Sequence, residues 1–204
     1  MAALDAFDTH ILPHVIGCPA PAIEWAVRLA CIDFCNRVEL VIEDATITTV
    51  AAQAAYDPFL ALQPVDYVAR KVLGVWRGTE ALTDGLPASP VDAQSAPLYF
   101  YLTASGLLGL SPIPGDIETL TARVVVRPTI DAVTVPDALV SQYSETIAAG
   151  ALARLHRLPG KLWTDPNLAQ LRQHDFDHAC GIAQWQVDGL SRGSSPMRTS
   201  PSPI

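Results

Sequence analysis

The 204-residue sequence predicts an α+β fold. The expected architecture is a bundle of about three helices, one N-terminal and two C-terminal, with an antiparallel β-sheet or small sandwich inserted between them and extended arms at both ends. Three features predict it. Apolar residues recur at three- and four-residue steps near the start and again in the last third, the period of a helix with one buried face. Between those blocks the chain turns rich in Val, Ile and Thr, which suit strands. Proline and glycine punctuate the changes, and the 17 prolines point to short elements and firm turns.

Residues 1–18 contain His10, Pro13, His14, Gly17 and Cys18 without a steady period and read as an N-terminal arm. Pro19 and Pro21 bracket a helix start, since proline is tolerated in the first turn. Ile23, Val27, Ala30, Cys31, Phe34 and Val38 then form the apolar stripe of a helix over 21–38, with Arg28, Asp33 and Arg37 on the wetter side. The β-rich stretch spans 39–128. In it, Val65 to Trp76 and Glu80 to Leu82 flank the turn Arg77-Gly78-Thr79, while 98–102 and 107–111 flank Ala104-Ser105-Gly106, giving two hairpins. Asp84 to Ala96 is a loop. Leu120, Ala122, Val124 and Val126 alternate with Thr121, Arg123, Val125 and Arg127, marking a strand with one wetter face.

The helical period returns over 136–157, where Pro136 and Asp137 suit the first turn and Leu139, Tyr143, Ile147, Ala151 and Leu155 form the stripe. Gly150 permits close packing, although a mid-helix glycine costs about 1 kcal/mol against alanine. Pro159-Gly160 ends this helix, and Thr164-Asp165-Pro166 opens the last one over 165–191, with a stripe through Leu168, Leu171, Phe176, Ala179, Ala183, Val187 and Leu190. Residues 19–192 are thus expected to form one domain. Residues 193–204 are a Ser/Pro-rich tail.

Hydrophobic residues make up 50% and charged residues 17%, enough to bury a core and too apolar for a disordered polyelectrolyte. No apolar run approaches the roughly 20 residues of a membrane span, and the N-terminus lacks the basic-then-apolar order of a signal peptide. The expectation is a soluble, intracellular or particle-bound protein with no membrane partner. A net charge of −8 argues against a nucleic-acid-binding domain, which needs clustered Lys and Arg. The charge is uneven: residues 1–66 carry two arginines against nine acids, whereas residues 150–204 carry six bases against four acids. Cys18, Cys31, Cys35 and Cys180 lack zinc-ribbon or CxxC spacing and read as free thiols, with Cys31 and Cys35 on one buried helix face.

A search for chemistry finds little. His174 and His178 stand four apart on the last helix, but Asp175 occupies the place where a zincin has Glu, and a third ligand is missing. They read as part of a solvated polar face. His10 and His14 share the spacing in a proline-bounded segment. There is no GxSxG elbow, P-loop or dinucleotide turn, so no catalytic, cofactor or metal residues are assigned. Trp is enriched at interface hot spots, and Trp25 and Trp185 lie off the apolar stripes of their helices, which makes them candidate partner contacts. The tail offers Arg192, Met197, Arg198 and Ile204. An extended segment of this kind can dock in a groove or add to a sheet edge, so it is expected to attach a neighbouring subunit or partner.

One constellation is more specific. It begins with Cys18-Pro19 before an Ile/Ala/Phe-Cys helix and continues through a β-rich middle. It then runs from Val135-Pro136-Asp137-Ala138-Leu139 through Ala148-Ala149-Gly150-Ala151-Leu152-Ala153-Arg154-Leu155 and Leu158-Pro159-Gly160-Lys161-Leu162-Trp163 to Thr164-Asp165-Pro166-Asn167-Leu168. Together these resemble the head-to-tail connector (adaptor) proteins of tailed bacteriophages. The resemblance is sharpest over 135–170. It implies a structural virion protein at the capsid–tail junction, assembled in the host cytoplasm, with no catalytic residues and no cofactor. It further implies a homo-oligomeric ring, expected to be twelve-fold, joining the phage portal protein to a tail or nozzle protein. Viral DNA would pass through its channel without sequence-specific binding, and an acidic wall suits such passage. Competing readings are another virion ring component, such as a tail terminator or head-completion protein, or a small metal-binding enzyme using His174 and His178.

Overall fold

Steric and capping signals set the helix boundaries of this chain. A computed structural model describes residues 2–57, 66–86, 94–103 and 107–192. These divide into two compact units, a helical one of residues 4–40 and 139–192 and a β-rich one of residues 2–3 and 41–138. The class is α+β.

The helical unit begins with a 3-10 turn at Leu4–Phe7, a short helix α1 (Asp8–Ile11) and a second 3-10 turn at Leu12–His14. Leu4, Phe7, Ile11 and Val15 are buried, so this segment is folded against the unit and differs from the loose arm that its missing period suggests. Helix α2 (Ala20–Arg37) starts after Pro19 and buries Ile23, Val27, Ala30, Cys31 and Phe34, the stripe read from the sequence. Helix α3 (Asp137–His156) is interrupted at Tyr143 (φ −128°, ψ 19°), so two helical segments meet at a kink where one continuous helix was expected. Helix α4 (Pro166–Arg192) is capped by Asp165, whose Oδ1 accepts from the backbone N–H groups of Asn167 (2.9 Å) and Leu168 (3.0 Å). Pro166 has no N–H to leave unpaired at that position.

The three long helices meet around Phe176, which is fully buried. A Cβ on Gly150 would lie 2.8 Å from the Phe176 ring and 3.2 Å from Ala30 Cβ, so only glycine allows α3 this close to α2 and α4. Phe34 packs against Tyr143 in a tilted arrangement, with ring centroids 4.8 Å apart. Above this apolar layer runs an ionic chain. Arg154 donates to Asp33 (2.9 Å), Arg37 donates to both Asp33 oxygens (3.2 Å each), and Arg37 also pairs with Asp177. The Arg37 and Arg154 guanidinium carbons lie 5.2 and 6.0 Å from the Phe176 ring centroid, within cation–π range. Burial works to raise the Asp177 carboxyl, but hydrogen bonds from Arg37 and Gln173 outweigh it and hold the group below its ordinary value.

Cys31, Cys35 and Cys180 are buried free thiols in this unit. Burial pushes Cys180 up to about 11 and Cys31 up as well. Both therefore act as small hydrophobes rather than nucleophiles at neutral pH.

The β-rich unit contains, in chain order, β1 (Ala2–Ala3), β2 (Ile42–Thr48), β3 (Ala55–Tyr56), β4 (Tyr67–Arg77), β5 (Glu80–Ala81), β6 (Thr83–Asp84), β7 (Tyr99–Leu102), β8 (Leu108–Ser111), β9 (Thr119–Pro128) and β10 (Thr134–Val135). Among the described residues they form one sheet of order β2-β9-β4-β5, a second of order β3-β8-β7-β6, and the pair β1-β10. Pairing is antiparallel except between β6 and β7, which run parallel. Both expected hairpins are present: β4-β5 turns at Gly78 (φ +58°), and β7 pairs β8, with residues 104–106 outside the described set.

Two glycines in these sheets are covered by aromatic rings. Trp76 lies against Gly74, where a Cβ would meet its ring at 2.6 Å, and Arg123 stacks over that ring at 5.3 Å while gripping Asp44 across the β2-β9 register. Tyr101 likewise covers its cross-strand partner Gly109. In each case the ring supplies the packing that glycine lacks. The Asp66 carboxylate accepts from the backbone N–H (3.2 Å) and hydroxyl (2.6 Å) of Thr134 and fixes the start of β10. The alternation expected on β9 holds at Leu120 and Ala122, but Val124, Val125 and Val126 are all buried, so this stretch is covered on both faces.

Candidate interaction surface

Helix α4 presents two faces with different chemistry. Ala169, Phe176, Cys180 and Ala183 are buried and form the inward face. Leu168 and Leu171, assigned to the apolar stripe from sequence, are exposed and share the outer face with Ile182 and Trp185. The physical reason is register. The buried set steps 169, 176, 180, 183, while 168, 171, 182 and 185 follow a second heptad-like line turned toward solvent.

Trp185 is 77% exposed, and Trp25 on α2 is 43% exposed. Trp185 separates two shallow depressions in the surface of the helical unit. One is lined by Leu40, Tyr143, Val187 and Gly189 among others, and the second by His178, Gly181 and Ile182. Gly181 and Gly189 stand one turn to either side of the indole. A Cβ on either glycine would meet nothing within 4 Å, in contrast to Gly150. Internal packing thus explains Gly150 and does not explain Gly181 or Gly189. Replacing either of these two by alanine should stabilise the helical unit by about 0.5–1 kcal/mol through helix propensity alone. Chemical denaturation measures this, and a destabilised variant would show a constraint absent from the description above.

The segment after α3 is held by Thr164 and Asp165, which the sequence places at the start of the last helix, together with His156, which sequence reasoning passed over. His156 is buried, and its Nδ1–H donates to the Trp163 carbonyl at 2.6 Å. Its own carbonyl accepts from the Asp165 N–H at 3.1 Å. The Thr164 hydroxyl accepts from the Lys161 N–H at 3.0 Å. These bonds fix the turn that carries Leu162, 96% exposed, between α3 and α4. The only sequence signal for His156 is a basic residue in the last turn of a helix.

Of the candidate partner residues, Trp25 and Trp185 lie on the helical unit's surface. Met197, Arg198 and Ile204 lie outside the described residues, as does the Arg192 side chain. No group of three or more metal-ligating side chains occurs among the described residues. No helix among them is long and apolar enough to cross a membrane.

An exposed aromatic between depressions on a long helix is a kind of surface that occurs at protein–protein interfaces. A family model described as SU10 adaptor protein matches residues 18–200 and defines the class: this is a structural protein of the phage virion, associated with head and tail components. The chain belongs to the SU10 adaptor protein family, a family of phage head-to-tail adaptors. No curated protein matches it.

Proposed function

We propose that copies of this chain form a closed homo-oligomeric ring, expected to be twelve-fold, that joins the portal protein to a tail or nozzle protein and leaves a channel for DNA. The observation carrying this reading is the family match over 18–200, because a head-to-tail adaptor must engage both neighbours around the path of the genome. The net charge of −8 supports a conduit role, since a wall of like charge lets a duplex slide without sticking. The role is structural rather than catalytic. Residues 19–192 serve as the connector body, assembled in the host cytoplasm before it joins the particle.

In this reading the exposed indoles of Trp25 and Trp185 contact neighbouring subunits, and residues 193–204, with Arg192, Met197, Arg198 and Ile204, attach the ring to its partner. A buried aromatic anchor is worth about 2 kcal/mol or more at an interface. Trp185→Ala should therefore weaken assembly by at least roughly thirtyfold, with little loss of stability because the side chain is exposed in the single chain. Deleting residues 194–204 should abolish attachment to the portal while leaving the unfolding transition in place. Sedimentation of the purified chain, alone and with portal, reads both effects. Attachment unchanged by the deletion, or wild-type association in the Trp185 variant, removes the corresponding contact.

A further inference from the structure

Imidazoles one helical turn apart form a chelating pair when both face solvent and turn toward a common point. His174 and His178 on α4 are both exposed and one turn apart, with ring centroids 6.4 Å apart; the rings lie parallel, so side-chain rotation, unobstructed at this exposed face, brings one nitrogen of each to a common point. The neighbouring carboxylates are engaged elsewhere. Asp177 pairs with Arg37 and Gln173, and Asp175 lies 3.8 Å from Arg172. What remains is a donor set of two imidazole nitrogens with the other coordination positions open to water.

We propose that His174 and His178 form a surface bis-imidazole site for a first-row transition-metal dication of the Ni2+, Cu2+ or Zn2+ type. Imidazole nitrogen suits these ions, whereas Ca2+ and Mg2+ need oxygen ligands that this face does not offer. Metal–nitrogen bonds of about 2.0–2.1 Å draw the rings closer by rotation about χ1 and χ2, and the helix backbone stays as it is. Two protein ligands fall short of the three that a catalytic zinc uses, so the site holds an exchangeable ion rather than a reaction centre.

Isothermal titration of the full chain with Ni2+ tests the assignment. One saturable Ni2+ per chain is expected. H174A and H178A should each weaken binding by about 100-fold, the upper end of what losing even a supporting partner costs a metal site. The double variant should show no saturable binding, with an unchanged circular dichroism spectrum because both side chains are exposed. H174Q and H178Q repeat the test without shortening the side chains. The pair His10 and His14 is the internal control. Pro13 lies between them and the chain passes from α to 3-10 geometry at Leu12, so H10A/H14A should bind as the wild type does. Binding that survives loss of His174 and His178, binding that vanishes with His10 and His14, or no saturable binding by the wild type would each overturn the proposal.

Discussion

Phe176→Ala is expected to destabilise the helical unit by about 3–5 kcal/mol, the range for deleting a fully buried phenylalanine. The position is unusual in what the ring supports. It fills the space left by Gly150, and it receives two guanidiniums, from Arg37 on α2 and Arg154 on α3. Truncation therefore opens a cavity and also removes the aromatic surface over which Arg37 and Arg154 are held. Phe176→Leu weighs the two contributions differently. Leucine keeps the site apolar but is three carbons smaller and has no ring, so its packing cost should be lower than that of alanine, and its total loss also carries the cation–π share, about 0.5–2 kcal/mol per contact. Urea unfolding followed by circular dichroism reads both variants. A loss below about 1 kcal/mol for Phe176→Ala would mean that α4 does not pack on α2 and α3 as described.

The second large effect is predicted at Gly150. Alanine there gains about 1 kcal/mol of helix propensity but places a Cβ 2.8 Å from the Phe176 ring, closer than a carbon–carbon contact tolerates. Leucine adds further atoms with Ala30 Cβ blocking the alternative direction. Overpacking of this kind typically costs about 1–3 kcal/mol. Gly150→Leu should reach the upper end, near 3 kcal/mol, while Gly150→Ala should lose less. The opposite sign expected at Gly181 and Gly189 on α4 makes the set informative. The same substitution in helices of one unit should destabilise where the structure is full and stabilise where it is open. A stabilised Gly150→Ala would contradict the close approach of the helices.

How much of this was legible depends on the reach of the interactions. The stripe of α2 is readable because five buried residues keep a helical step over about three turns, and the cap of α4 because Asp165-Pro166 is a local signal. Gly78 announced its hairpin in the same way. The segment before α2 was not readable: Leu4, Phe7, Ile11 and Val15 do step helically, but Pro13 and the switch between 3-10 and α geometry hide the period. The two-residue strands β1 and β10 carry no signal because their pairing joins segments distant in the sequence rather than following from propensity. The register of α4 differs from the sequence expectation at Leu168 and Leu171, because leucine is no sure sign of burial and here lies on the exposed line with Trp185. Trp185 itself was legible as an off-stripe aromatic. The notches beside it were not, since a glycine's reason for being in a helix appears only when its surroundings are known.

Imaging the head–tail junction of the assembled particle tests the proposed ring between head and tail most directly. Density for this chain is expected as a closed twelve-fold ring against the portal, with tail density below it and an open axial channel. Density placed away from the portal, or a single copy without ring symmetry, would contradict it.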